Sequence, residues 1–113
     1  MTHTEPRPGE AFRAWAEPHE DSVVVHAVGE LDLASSKAFE DELRGALGTE
    51  ASAVVVDLSK VTFMDSTGLR ALLTVTELSS ANGGRLGIRR ELTGAVQRTL
   101  EVTWTAEKLP FVD

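Results

Sequence analysis

Val54-Val55-Val56-Asp57-Leu58-Ser59-Lys60-Val61-Thr62-Phe63-Met64-Asp65-Ser66-Thr67-Gly68-Leu69 is the stretch on which the reading of this chain turns. Three consecutive β-branched residues open it, which favours a strand, and Leu69, Leu72, Leu73 and Thr76 follow at i, i+3, i+4, i+7, the spacing of one helix face. A strand therefore runs into a helix, with Asp65-Ser66-Thr67-Gly68 at the junction. The first turn of a helix leaves N–H groups unpaired and carries partial positive charge, so an anion is favoured there. A phosphoserine at Ser66 fits without unfolding, and the residue reads as a phosphorylatable switch. Gly68, having no Cβ, lets another backbone or a bulky partner approach the helix start closely. The plainer alternative is that Asp65 or Ser66 merely caps the helix. Thr67 reads first as an ordinary first-turn residue and second as a secondary acceptor.

Working outward, Ser22 to Val28 is a β-branched run ending at Gly29, which puts Glu30 and Asp32 at a strand's carboxyl end, where α/β folds place their sites. Ala11 to Glu17 predicts an edge strand before it, with Pro18-His19-Glu20-Asp21 as the turn. From Ala34 to Leu47, Phe39, Leu43, Ala46 and Leu47 fall at i, i+4, i+7, i+8, a helix with one buried stripe that Gly48 closes. Ala53 to Leu58 is the next strand, and Asn82-Gly83-Gly84 stops the helix that Ser66 begins. A short strand over Arg85 to Arg89 precedes a helix from Thr93 to Val102 that turns Ala95, Val96, Thr99 and Leu100 to the core. A hairpin followed by α/β alternation predicts an α/β fold: one domain with a mixed four- to five-stranded sheet covered by helices. Residues 1–10, with Pro6, Pro8 and Gly9, read as a flexible arm, leaving 11–113 as the domain.

Gly29-Glu30-Leu31-Asp32, Val54-Val55-Val56-Asp57-Leu58-Ser59 and Phe63-Met64-Asp65-Ser66-Thr67-Gly68-Leu69 together resemble the STAS domain of bacterial anti-sigma factor antagonists, in that family's order and spacing, over roughly residues 20 to 113. The resemblance implies that Ser66 is phosphorylated by an anti-sigma factor that is itself a serine kinase. The unphosphorylated form would bind that kinase and free a sigma factor, and a phosphoserine phosphatase would complete the cycle. ATP would belong to the kinase, and no cofactor to this chain. Asp32, Asp65, Ser66, Thr67, Gly68 and Leu69 form the expected partner surface. Asp32 has two compatible readings, an N-cap for the helix beginning near Ala34 and a contact that seats the kinase or orients Ser66. Trp104 stands where the family commonly has glycine, which puts the tight turn after the third helix in question. Members also often continue into one more short helix, and the sequence given stops at Asp113.

Composition agrees with a small signalling module. The chain has 113 residues, 42% hydrophobic, enough for a single core. Cysteine is absent, which removes disulfides, thiolate nucleophiles and Cys-ligated metals and is compatible with a cytoplasmic location. No apolar run approaches the ~20 residues that span a bilayer, and the start lacks a signal-peptide pattern. A net charge of −7 argues against direct nucleic-acid binding. Arg85, Arg89 and Arg90, the one basic cluster, read as the charged ends of a short strand.

Catalytic and metal constellations are missing, so the chain reads as a non-enzyme. His3 lies in the arm, and His26 alternates with Val24 and Val28 as a half-buried strand residue. No His-x-x-x-His or Glu-x-x-His spacing suggests a metal, and Ser66 lacks a Gly-x-Ser-x-Gly elbow. Two rivals stand beside the antagonist. One is an aspartyl-phosphate receiver domain, with Asp57 as acceptor and Glu30 and Asp32 as Mg²⁺ ligands, although its acids are not adjacent and Lys108 has no strand before it. The other is a STAS module of a stressosome or lipid-transport assembly, which shares the fold.

Overall fold

A computed structural model describes residues 10–112, so the expected arm, apart from Glu10, lies outside the described residues, as does His3. The elements are β1 (Phe12–Pro18), β2 (Ser22–Leu31), α1 (Ser36–Leu47), β3 (Ala53–Met64), α2 (Ser66–Ala81), β4 (Leu86–Arg89), α3 (Gly94–Thr103), a 3₁₀ turn (Ala106–Lys108) and β5 (Phe111–Val112). The five strands lie in chain order, β1 antiparallel to β2 and every later pair parallel. Each parallel step advances in the same direction through a helical connection, and such crossovers are right-handed, so all three helices cover one face. The core confirms it. Val25 and Ala27 of β2 and Val54, Val56 and Leu58 of β3 share one apolar cluster with Phe39 and Leu43 of α1, Leu72 and Val75 of α2, and Val96 and Leu100 of α3. The fold is therefore the α/β mixed sheet read from the sequence, at its five-stranded limit.

Two strands run further than their local sequence suggests. β3 continues past Leu58 because β2 keeps pairing with it, Val28 with Lys60, Gly29 with Val61, Glu30 with Phe63 and Leu31 with Met64. β4 reaches only Val54 to Val56, so the outer half of β3 has no strand on that side. There α3 supplies the missing donors: the Thr93 and Thr99 hydroxyls donate to the Val61 and Met64 carbonyls at 2.6 and 2.7 Å. β2 passes through Gly29 to Leu31 by a bulge, with Gly29 at φ +104. A Cβ there would lie 2.2 Å from the Ala11 carbonyl oxygen, which explains glycine at this point.

The helices follow their apolar stripes with small differences. α1 buries Phe39, Leu43 and Ala46 but starts at Ser36, and Gly48 ends it in an ordinary right-handed conformation (φ −77) instead of the left-handed one associated with glycine caps. α2 turns Leu69, Leu72, Val75 and Ser79 inward, leaving Leu73 and Thr76 half-buried. Its apolar residues spread over more than one face, so spacing alone does not choose the edge that meets the sheet.

On the sheet face away from the helices, Trp15 stacks on His26 with ring centroids 5.1 Å apart. His26 Nε2 lies 2.8 Å from Glu17 and its Nδ1 3.7 Å from Asp57, which also pairs with Arg89 at 3.1 Å. His26 is thus a half-buried structural residue. Burial pushes the Asp57 carboxyl up, but bonds from the Ser59 hydroxyl and backbone N–H, with the Arg89 and His26 charges, outweigh it and hold the group below its ordinary 3.8. The receiver alternative fails here: Asp57 sits mid-strand in this lattice, while the carboxyl end of β3 is Met64. The arginine cluster is structural, as read. The Arg85 guanidinium bonds the Leu47 and Ala51 carbonyls, and Arg90 lies over the Phe111 ring at 5.7 Å.

The turn after α3 is kept despite Trp104. This residue takes the left-handed conformation itself (φ 56, ψ 39), and Thr105 N–H bonds back to the Leu100 carbonyl at 3.2 Å. The Trp104 ring is 88% exposed, so little packing offsets the strain of a left-handed non-glycine residue.

Two outcomes are expected. Trp104→Gly should stabilise the fold by about 0.5–1 kcal/mol, read as a higher Tm. Asp57→Ala should cost about 1–3 kcal/mol at pH 7. Because the folded carboxyl titrates below 3.8, its contribution is complete above that pH and disappears as pH falls through the lower folded value. Urea titrations of parent and variant should therefore converge in acid and stay apart at neutrality.

Candidate functional site

Parallel pairing brings the carboxyl ends of β2 and β3 level, Leu31 beside Met64, so the segments that follow them are neighbours. The Asp65 N–H donates to the Leu31 carbonyl at 3.2 Å and ties the two together. Asp65 then caps α2: its Oδ1 accepts from the Thr67 and Gly68 N–H groups at 2.9 and 3.0 Å. Gly68 is buried, and a Cβ on it would meet the Leu31 carbonyl oxygen at 2.5 Å. The close approach that glycine permits is therefore by the chain's own β2, and not by a partner.

With Asp65 as the cap, the Ser66 side chain is left over. It is exposed at the first residue of α2, and its hydroxyl has no hydrogen-bond partner among the described residues. That separates two roles the sequence left open, capping and presentation. Thr67 is half-buried one residue further in. Leu69 is buried in the core, so Leu69 and Gly68 reach a partner only through the helix they seat.

Asp32 is not the N-cap expected of it. α1 begins later, with Ser35 at the cap position, and Asp32 instead forms a turn in which its Oδ1 accepts from the Ala34 N–H at 3.0 Å. Its carbonyl accepts from the Ser35 and Ser36 N–H groups at 3.2 and 2.8 Å. The half-buried carboxylate of Asp32 thus stays at the surface of the same end of the sheet as Asp65 and Ser66. Sequence reading missed Ser35. Its buried hydroxyl accepts from the Asp32 N–H at 2.9 Å and donates to the Glu30 carbonyl at 2.7 Å, locking the turn. The available signal was a serine just ahead of the first apolar helix residue, Phe39. Leu33 and Phe63 were missed too: they are 76% and 46% exposed at this end of the sheet, although large apolar residues normally suggest core.

Beside Ser66 an open groove of about 540 Å³ runs along α2, lined by Leu69, Arg70, Leu73 and, from the 3₁₀ turn, Lys108. No group of three or more acidic or imidazole side chains placed to hold a metal occurs among the described residues. None of their helices is long and apolar enough to cross a membrane. Chemically the site can present one uncommitted hydroxyl, at a helix N-terminus, to another molecule. Gly68→Ala should lower stability by about 1–3 kcal/mol in a denaturant titration, since the new methyl must displace the Leu31 backbone.

Comparison with known proteins agrees with this architecture. A family described as Mlab, STAS domain, matches residues 16–109. The anti-sigma-F factor antagonist RsfB of Mycobacterium tuberculosis is 34% identical over 59 residues, 52% of this chain and 48% of its own, so the chain spans about half the length of that curated relative. A crystal structure of an anti-sigma factor antagonist from Mycobacterium paratuberculosis superposes with a TM-score of 0.76 at 27% identity, over 88% of this chain and 84% of that one. The anti-sigma factor antagonist SpoIIAA has the same fold in its unphosphorylated form (TM-score 0.70, 17% identity, 89% of each chain) and, from Bacillus, in its phosphorylated form (0.64, 16%, 89% and 92%). Matched by that family's model over residues 16–109, most of its length, this chain belongs to the STAS-domain family.

Proposed function

We propose that the protein is an anti-sigma factor antagonist, acting in the cytoplasm, whose unphosphorylated form binds an anti-sigma factor serine kinase and frees a sigma factor. Phosphorylation of Ser66 by that kinase switches the binding off, and a phosphoserine phosphatase restores it. The observation that carries the reading is the exposed, uncommitted Ser66 hydroxyl directly beyond a helix end already capped by Asp65. In support, RsfB and the Mycobacterium paratuberculosis protein are anti-sigma factor antagonists, and SpoIIAA exists in both phosphorylation states.

The physics of the switch follows from the location. A phosphoserine adds roughly −1.5 to −2 charges, which a helix N-terminus tolerates, so the fold survives modification. At a partner interface the same charge has to be desolvated close to Asp65 and Asp32. An unpaired buried charge costs roughly 3–5 kcal/mol, about a hundredfold to several thousandfold in affinity. Exposed Leu33 and Phe63 supply apolar area at the same end of the sheet for the unmodified complex.

The test is incubation with a candidate anti-sigma kinase and ATP, followed by fragmentation mass spectrometry. Phosphate is expected on Ser66, and Ser66→Ala should bind the kinase with unchanged affinity, resist phosphorylation and lose less than about 1 kcal/mol of stability. Undiminished phosphorylation of that variant would overturn the assignment. A partner bound equally well in both phosphorylation states would make the chain a STAS module of another assembly, such as a stressosome or a lipid-transport complex.

A further inference from the structure

We infer that the groove beside Ser66 receives the phosphate of phosphorylated Ser66 itself, held by Arg70 and Lys108; the inference deepens the reading of Ser66 as phosphoacceptor and rests on it. Ser66 and Arg70 are four residues apart on α2 and open onto the same groove of about 540 Å³, with Lys108 also lining it. The 3₁₀ turn Ala106–Lys108 carries that lysine to α2 from a distant part of the sequence. Neither cation has an ion-pair partner among the described residues, whereas Lys37, Arg44 and Arg89 are each paired with a carboxylate. Two cations without an ion-pair partner among the described residues therefore line the groove onto which the exposed hydroxyl opens.

The other charged groups around the position are four carboxylates. Asp65 Oδ1 is engaged by two N–H groups, and Asp32 is turned into its own loop. Glu77 lines the groove two turns along α2 from Arg70, and Glu107 adjoins Lys108. An acid four residues before a base is the favourable order along a helix, and a guanidinium can take a phosphate through two parallel N–H···O bonds. The helix N-terminus adds its own positive potential. Phosphorylation would then change the surface twice: it adds a dianion and withdraws two cations that the unmodified protein presents beside Ser66. The modified state is a closed ion cluster on α2.

The experiment installs phosphoserine at position 66 during translation, so that no kinase is needed, and follows the phosphate by ³¹P NMR as pH is varied. The second ionisation, ordinarily near 6, is expected at a lower pH in the folded protein than in the same protein in urea. Arg70→Gln should raise the midpoint by about half a pH unit or more, Lys108→Gln should raise it less, and Arg70→Lys should restore part of the shift. Arg44→Gln, remote and already paired with Glu40, should leave it unchanged. All of these residues are exposed or partly exposed, and the circular dichroism of each variant establishes that it folds. A midpoint that does not move in the Arg70→Gln/Lys108→Gln double variant would overturn the inference, even if depressed, because the helix end alone would then hold the phosphate. Absence of Ser66 phosphorylation by any cognate kinase would instead defeat the proposed function, while the titration with installed phosphoserine would still answer for the groove.

Discussion

The site depends on the Leu31 carbonyl. This one oxygen, at the end of β2, accepts the Asp65 N–H at 3.2 Å and leaves so little space in front of Gly68 that a methyl would lie 2.5 Å away. Both contacts require β2 and β3 to end at the same level, which their parallel register achieves through a bulge at Gly29. Once the Asp65 backbone is held there, its carboxylate faces the first N–H groups of α2, and the axis of that helix is set. Ser66 then has only one direction left, outward. Presentation of the hydroxyl is thus a consequence of strand pairing far more than of local helix preference.

Stability and switching are kept apart in this arrangement. The charged lattice of Glu17, His26, Asp57 and Arg89 lies on the sheet face opposite the helices, where its ion pairs join four strands. Hydrogen bonding by His26 is the main reason the exposed Glu17 carboxyl titrates below its ordinary range, so the lattice is tuned internally. At the switch end, by contrast, Ser66, Arg70 and Lys108 have no such partners among the described residues. Charge added at Ser66 meets surface groups that are free to respond, and the apolar cluster beneath α2 does not have to rearrange. On the proposed function, phosphorylation would therefore act on binding and leave the fold alone.

Much of this was legible in the sequence because it is local. Strand identity followed from Val23 to Val25 and Val54 to Val56, helix phase in α1 from Phe39, Leu43 and Ala46, and the junction from Asp65-Ser66-Thr67-Gly68. β-branched runs, period-3.6 stripes and cap residues act within a few neighbours, so one sequence is enough to read them. Their order and spacing were enough for the resemblance to the STAS domain as well.

What tertiary structure decided involves groups distant in sequence. β3 runs to Met64 because β2 and the threonine hydroxyls of α3 satisfy its backbone, which no property of Asp57-Leu58-Ser59-Lys60 indicates. Trp104 holds a left-handed turn that its own side chain disfavours, since the packing of α3 and Thr105 dictates the backbone there. Gly68 was read as room for another backbone or a bulky partner, and the Leu31 backbone proved to be what takes it. Asp32 looked like a cap and proved to be a turn residue locked by Ser35. That Lys108 lines the same groove as Ser66 and Arg70 was equally invisible, because it requires the turn after α3 to lie along α2. Sequence alone determined the elements and the strand-to-helix junction at Asp65-Ser66-Thr67-Gly68, through short-range stereochemistry and hydrophobic periodicity. Only the folded chain decided which side chains those elements leave uncommitted, because hydrogen-bond and charge satisfaction depends on neighbours that strand pairing and packing bring together.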